Sequence, residues 1–152
     1  MTLPLDYVLT TLIASLGLFA GVGVGWIAKE ELSDGKKYFE LFQSVLLAAA
    51  MFVVALAIDP LLAVIASVLA FALFHYYPKT KSSVISYILL AFVFVFFMEH
   101  ALFLLLATIT LLYGLTTGSL LFMQKTWLRN SLVTIMVFNA VALGLPLVLL
   151  NI

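Results

Sequence analysis

Residues 82–114 read SSVISYILLAFVFVFFMEHALFLLLATITLLYG, an apolar run interrupted near its middle by the adjacent ionisable residues Glu99 and His100. As one straight helix, this run would be roughly 48 Å long at about 1.5 Å per residue. The hydrocarbon core of a bilayer is only about 30 Å thick. We therefore predict two helices, 82–98 and 101–123, with a turn at Glu99 and His100. Residues 98–101 contain no Gly, Pro, Asn or Asp, so this turn lacks the usual sequence signal.

The other apolar runs are separated by polar or turn-forming residues. The mixed-charge segment 29–37 ends the first run. Asp59 and Pro60 end the second, because the residue before a proline disfavours the helical conformation. Pro78 opens the next break, which continues to residue 81. The sequence thus predicts a single domain, 1–152, with helices at about 7–28, 38–58, 61–77, 82–98, 101–123 and 131–150.

The composition indicates which solvent surrounds these helices. Apolar residues make up 66% of the chain and charged residues 9%, whereas soluble domains have about 45–50% and about 25%. Helices that are apolar on all sides need lipid around them. The predicted fold class is therefore all-α, a polytopic integral membrane helical bundle whose first partner is the lipid bilayer. Zero net charge gives no reason to expect a nucleic-acid partner, and the lack of cysteine excludes disulfides and thiolate metal sites.

The placement of the basic residues predicts the direction of the helices. All seven Lys and Arg residues fall in the first, third and fifth loops, at 29–37, 79–81 and 125–129. Cytoplasmic loops of membrane proteins carry an excess of Lys and Arg. We therefore expect these three loops in the cytoplasm and both termini outside. A five-helix arrangement would place Lys125 and Arg129 on the opposite side and break this pattern.

The first helix carries a face of small residues. Gly17, Gly21 and Gly25 are four residues apart, so they share one side of a helix and form a groove that another backbone can approach closely. One interpretation is packing against another helix of the same chain. The other is an interface with a second copy or with another membrane subunit.

Glu99 and His100 are the adjacent ionisable pair within the longest apolar run, and they also allow two interpretations. Ionisable groups inside a membrane are costly and usually functional, so a buried pair would indicate a proton relay or an ion site. If the chain turns there, both side chains instead meet water at the outer boundary. Asp59 is expected at the same outer side and could contribute with Glu99 to a weak cation site.

The last helix contains one amide, Asn139, in its middle. Such a group needs hydrogen-bond partners in hydrocarbon, so we expect it to bond to a neighbouring helix. Pro146 is expected to bend the end of that helix, and Gly114 and Gly118 are expected to loosen the fifth one.

These features favour a non-catalytic membrane subunit or scaffold, which packs against other transmembrane helices as a homo-oligomer or with other subunits. The chain contains none of the spaced His and acidic residues of a metalloenzyme and no nucleophile triad or phosphate-binding loop. We therefore expect no enzyme activity, no cofactor and no metal. The alternative is a small oligomeric transporter or channel for an ion, small solute or lipid. That alternative predicts a cavity lined by Thr108, Thr110, Asn139 and Glu99.

Overall fold

The computed structural model describes residues 4–76 and 83–149. Within these two ranges the regular elements are α1 (Leu5–Ile27), α2 (Leu32–Leu56), α3 (Pro60–Tyr76), α4 (Ser83–Phe96), α5 (Phe103–Phe122) and α6 (Trp127–Leu149). The predicted all-helical fold with six helices is therefore confirmed, and the described residues contain no strand.

Two helices begin earlier than the sequence predicts. Helix α2 begins at Leu32 instead of residue 38, because the side chain of Leu32 is buried and the Gly35 amide donates to the carbonyl of Glu31 at 2.9 Å. Helix α6 begins at Trp127 instead of residue 131. Polar residues form part of the first turns of both helices, so neither helix begins where the sequence changes from polar to apolar. The predicted break at 78–81 lies outside the described residues.

The chain turns at residues 97–102, as the length argument predicted. The His100 amide donates to the carbonyl of Phe97 at 2.9 Å, and the Phe103 amide donates to the carbonyl of His100 at 3.0 Å. The His100 Nδ1 atom accepts a hydrogen bond from the Leu102 amide at 3.2 Å. A histidine side chain therefore supplies the acceptor that Asn or Asp usually provides in a turn.

Among residues 4–76 and 83–149, four helices are long and apolar enough to cross a membrane: α1, α2, α5 and α6. The other two are equally apolar but shorter, with 17 described residues in α3 and 14 in α4. A spanning helix needs about 20 residues, and the four long helices each have at least that length. Length and composition therefore identify a membrane-type bundle.

Helix α5 is the centre of the bundle and packs against α1, α2, α4 and α6. Its contact with α1 is the most extensive, and the two helices run parallel, with Gly17 opposite Leu111 and Gly25 opposite Phe122. Helix α4 packs mainly on α6, and α3 packs mainly on α2. The α1–α2 turn joins two helices that are not each other's main partners.

Side-chain contacts show which helix ends lie at the same end of the bundle. Tyr7, near the start of α1, stacks on Phe103 at a ring distance of 5.3 Å and bonds to Ala142 near the end of α6. The start of α1, the 97–102 turn and the end of α6 therefore share one end of the bundle. At the opposite end, Gly25 of α1 contacts Phe122, whose ring lies 5.8 Å from that of Trp127 at the start of α6.

Candidate functional site

The glycine face of α1 lies directly against the backbone of α5. A Cβ atom added at Gly17 would overlap the carbonyl oxygen of Leu111, and one added at Gly21 would overlap that of Leu115. At Gly25 the added Cβ would lie 3.0 Å from the Cβ of Phe122. Glycine at the first two positions is therefore required for the helices to approach this closely.

Helix α5 contributes glycines of its own to the same contact. A Cβ at Gly114 would lie 2.8 Å from the Leu18 nitrogen, and one at Gly118 would overlap the Leu18 carbonyl oxygen. The hydroxyl of Ser119 donates to the carbonyl of Gly21 at 2.9 Å. The sequence interpretation that Gly114 and Gly118 loosen α5 is therefore replaced by close packing between two glycine-containing faces. Because α5 covers it, the groove of α1 has no room for another helix.

Glu99 and His100 lie on the exposed turn between α4 and α5, and both side chains are exposed. The ring of His100 packs edge-on against Phe97 at 5.2 Å. Asp59 is also exposed, and its Oδ1 atom accepts hydrogen bonds from the amides of Leu61 at 2.8 Å and Leu62 at 3.0 Å. Asp59 therefore caps the first turn of α3. No group of three or more His, Cys, Asp and Glu side chains suited to a metal ion occurs among residues 4–76 and 83–149.

Asn139 forms a hydrogen bond within its own helix. Its Nδ2 atom donates to the carbonyl of Ile135 at 3.0 Å, while its Oδ1 atom is buried and has no hydrogen-bond partner. The amide nitrogen of Asn139 therefore does not make the predicted hydrogen bond to a neighbouring helix.

The four residues that a transport cavity was expected to bring together lie in different environments. Thr108 is exposed and bonds to the Leu104 carbonyl, whereas Thr110 is fully buried and bonds to the Leu106 carbonyl. Glu99 lies on the exposed turn. A groove of about 400 Å³ between α1 and α5 is lined by Thr108 but by neither Thr110 nor Asn139.

The structure brings together a polar core that the sequence interpretation missed. The Gln43 side chain donates from Nε2 to Thr117 Oγ1 at 2.8 Å, and both residues are buried. The Tyr113 hydroxyl lies beside those of Thr117 and Ser86. The ring of Tyr87 lies 5.4 Å from that of Tyr113. The available signal for Gln43 was an amide within the predicted helix 38–58, which the sequence analysis did not single out.

One side of the bundle is formed by α3, which packs mainly on a single neighbour, α2. Only two side chains of α3, those of Ala63 and Ala70, are buried in the described bundle. Between α2 and α3 lies an open groove of about 430 Å³. Its lining is almost wholly apolar: Val45, Ala48, Ala49, Phe52, Ser67, Val68 and Phe71.

Comparison with models of protein families, with curated proteins and with solved structures finds no match to this chain.

Proposed function

We propose that this chain is a multi-pass, non-catalytic membrane subunit that docks to other transmembrane helices through α3 and the adjoining face of α2. We call this surface the α2–α3 face, defined by the groove lining given above. The observation that carries the proposal is the packing of α3, which contacts mainly α2 and leaves Leu61, Val68 and Leu69 more than half exposed. Small residues in the groove, such as Ala48, allow a close approach by another helix.

The rest of the bundle supports the same proposal. The glycine face is covered by α5, so it does not serve for docking. The buried side chains with polar groups in the described ranges are those of Ser, Thr, Gln and Tyr, and none is Asp, Glu, Lys, Arg or His. A coupled transporter normally uses ionisable groups within the membrane. We therefore place the function at an outer surface of the bundle.

The docking proposal can be tested by photo-crosslinking in cells. A photoreactive amino acid is placed at Val68, which is 62% exposed on α3, or at Met136, which is 66% exposed on α6. We expect a discrete protein adduct from Val68 and none from Met136. The added Ala48→Leu substitution, which fills the groove, is expected to abolish the adduct.

The mass of the adduct distinguishes a second copy of this chain from a different subunit. Adducts only with lipid at both positions would show that the α2–α3 face is merely lipid-exposed and would contradict the proposal. Equal protein adducts from Val68 and Met136 would also contradict it, because contact would then not be specific to this face.

The proposed orientation places the basic loops 29–37, 79–81 and 125–129 in the cytoplasm and both termini outside. Because the chain has no cysteine, a single cysteine introduced by Glu99→Cys or by Lys36→Cys reports its own accessibility. With a membrane-impermeant thiol reagent on intact cells, we expect rapid labelling at residue 99 and none at residue 36 until the cells are opened. The reverse pattern would invert the orientation.

A further inference from the structure

The buried polar atoms without a partner are concentrated on one pair of helices. In the described part of the chain these atoms are Ser86 Oγ, Tyr87 OH, Ser131 Oγ and Asn139 Oδ1. The first two belong to α4 and the others to α6, and these helices pack on each other. In contrast, the buried hydroxyls of Thr11, Thr110 and Ser119 on α1 and α5 all donate to backbone carbonyls.

Ser86 and Tyr87 lie beside further polar groups. Both residues are at most 1% exposed. The ring of Tyr87 lies 5.4 Å from that of Tyr113, whose hydroxyl lies beside those of Ser86 and Thr117. The Gln43 amide continues this polar chain onto α2 through its 2.8 Å bond to Thr117. The polar groups therefore extend from α4 across α5 to α2 and carry no formal charge.

We propose that Ser86, Tyr87 and Tyr113 form a binding site for ordered water inside the bundle, where α4 meets α5. A buried hydroxyl without a partner destabilises the fold, and buried polar groups in proteins usually obtain the missing partner from water. A bound water needs two to four polar partners, and the hydroxyls of these three residues with that of Thr117 provide them. No Asp, Glu, Lys, Arg or His side chain is buried among the described residues, which favours a neutral ligand over an ion.

This site is independent of the proposed docking at the α2–α3 face, because it is formed by residues of α4 and α5 and shares none with the groove between α2 and α3. The crosslinking experiment and the one described next can therefore fail separately.

The test is radiolytic labelling of the full chain in lipid nanodiscs, in which hydroxyl radicals form from water at the place where it is bound. Phe94 is the matched control, because it is fully buried and its ring packs against those of Phe103 and Phe138. With each rate normalised to that of the unfolded chain, we expect Tyr87 and Tyr113 to be labelled several times faster than Phe94. Equal protection of all three residues would overturn the proposal.

A second measurement uses the Tyr87→Phe substitution, which removes the hydroxyl and retains the ring. If water bridges Tyr87 to its neighbours, this variant loses hydrogen bonds, and its Tm is expected to fall. If the site is dry, the same variant removes an unpaired buried hydroxyl, and its Tm should rise. A rise in Tm would therefore overturn the proposal, even for a variant that folds normally.

Discussion

Replacing Gly21 by valine is expected to lower the free energy of unfolding by about 3 kcal/mol or more, at or above the upper end of the usual range for overpacking. A Cβ at this position overlaps the carbonyl oxygen of Leu115, which belongs to the backbone and cannot rotate away. The helices must separate, and the hydrogen bond from Ser119 to the Gly21 carbonyl is then lost as well. Unfolding in mixed micelles with increasing denaturing detergent measures the change.

The matched control lies two residues away in the same helix. A Cβ at Gly23 meets no atom within 4 Å, so Gly23→Val adds the same side chain without a clash. We expect this variant to unfold within about 0.5 kcal/mol of the unmodified chain, as surface substitutions usually do. Equal destabilisation by both substitutions would show that the α1–α5 contact does not require glycine at residue 21.

Replacing Tyr7 by phenylalanine is expected to lower the free energy of unfolding by about 1–3 kcal/mol, the usual effect of leaving a buried acceptor unsatisfied. The Tyr7 hydroxyl donates to the carbonyl of Ala142 at 2.6 Å. That carbonyl is four residues before Pro146, which has no N–H to complete the helical hydrogen bond. Tyr7 therefore supplies the donor that the proline lacks.

A double-mutant cycle tests this explanation. Pro146→Ala restores an amide that can donate to the Ala142 carbonyl, so Tyr7→Phe is expected to destabilise the alanine variant less than the unmodified chain. Tyr38→Phe serves as a control, because Tyr38 is 76% exposed and loses no buried hydrogen bond. Thermal unfolding in detergent gives all the values. Additive effects of the two substitutions would contradict a link between Tyr7 and Pro146.

The number of helices could be predicted from the sequence because lipid imposes a length on each apolar run. The run 82–114 was too long for one helix, and the structure has its turn at Glu99 and His100. The starts of α2 and α6 were wrong by six and four residues, from Leu32 instead of 38 and Trp127 instead of 131. Apolarity marks where a helix is surrounded by lipid, whereas a helix ends where its backbone hydrogen bonds end.

The pattern of apolar residues along the sequence does not predict which helices pack against each other. The spacing of Gly17 and Gly21 showed which side of α1 permits close packing, but not that α5 would occupy it. Gly114 and Gly118 carried the complementary signal, which is informative only when the two helices are compared. The partner of Asn139 could not be predicted either, because an amide can bond to its own helix as well as to a neighbour.

The parallel packing of α1 on α5 has a consequence for biosynthesis. The hydrogen bond from Ser119 to Gly21 joins residues 98 positions apart, and at a synthesis rate of about 5–20 residues per second this separation corresponds to about 5–20 s. During that interval α2, α3 and α4 are made while the glycine groove of α1 has no partner from its own chain. A chain whose synthesis ends before α5 therefore keeps an uncovered groove on α1, although its first four helices are complete.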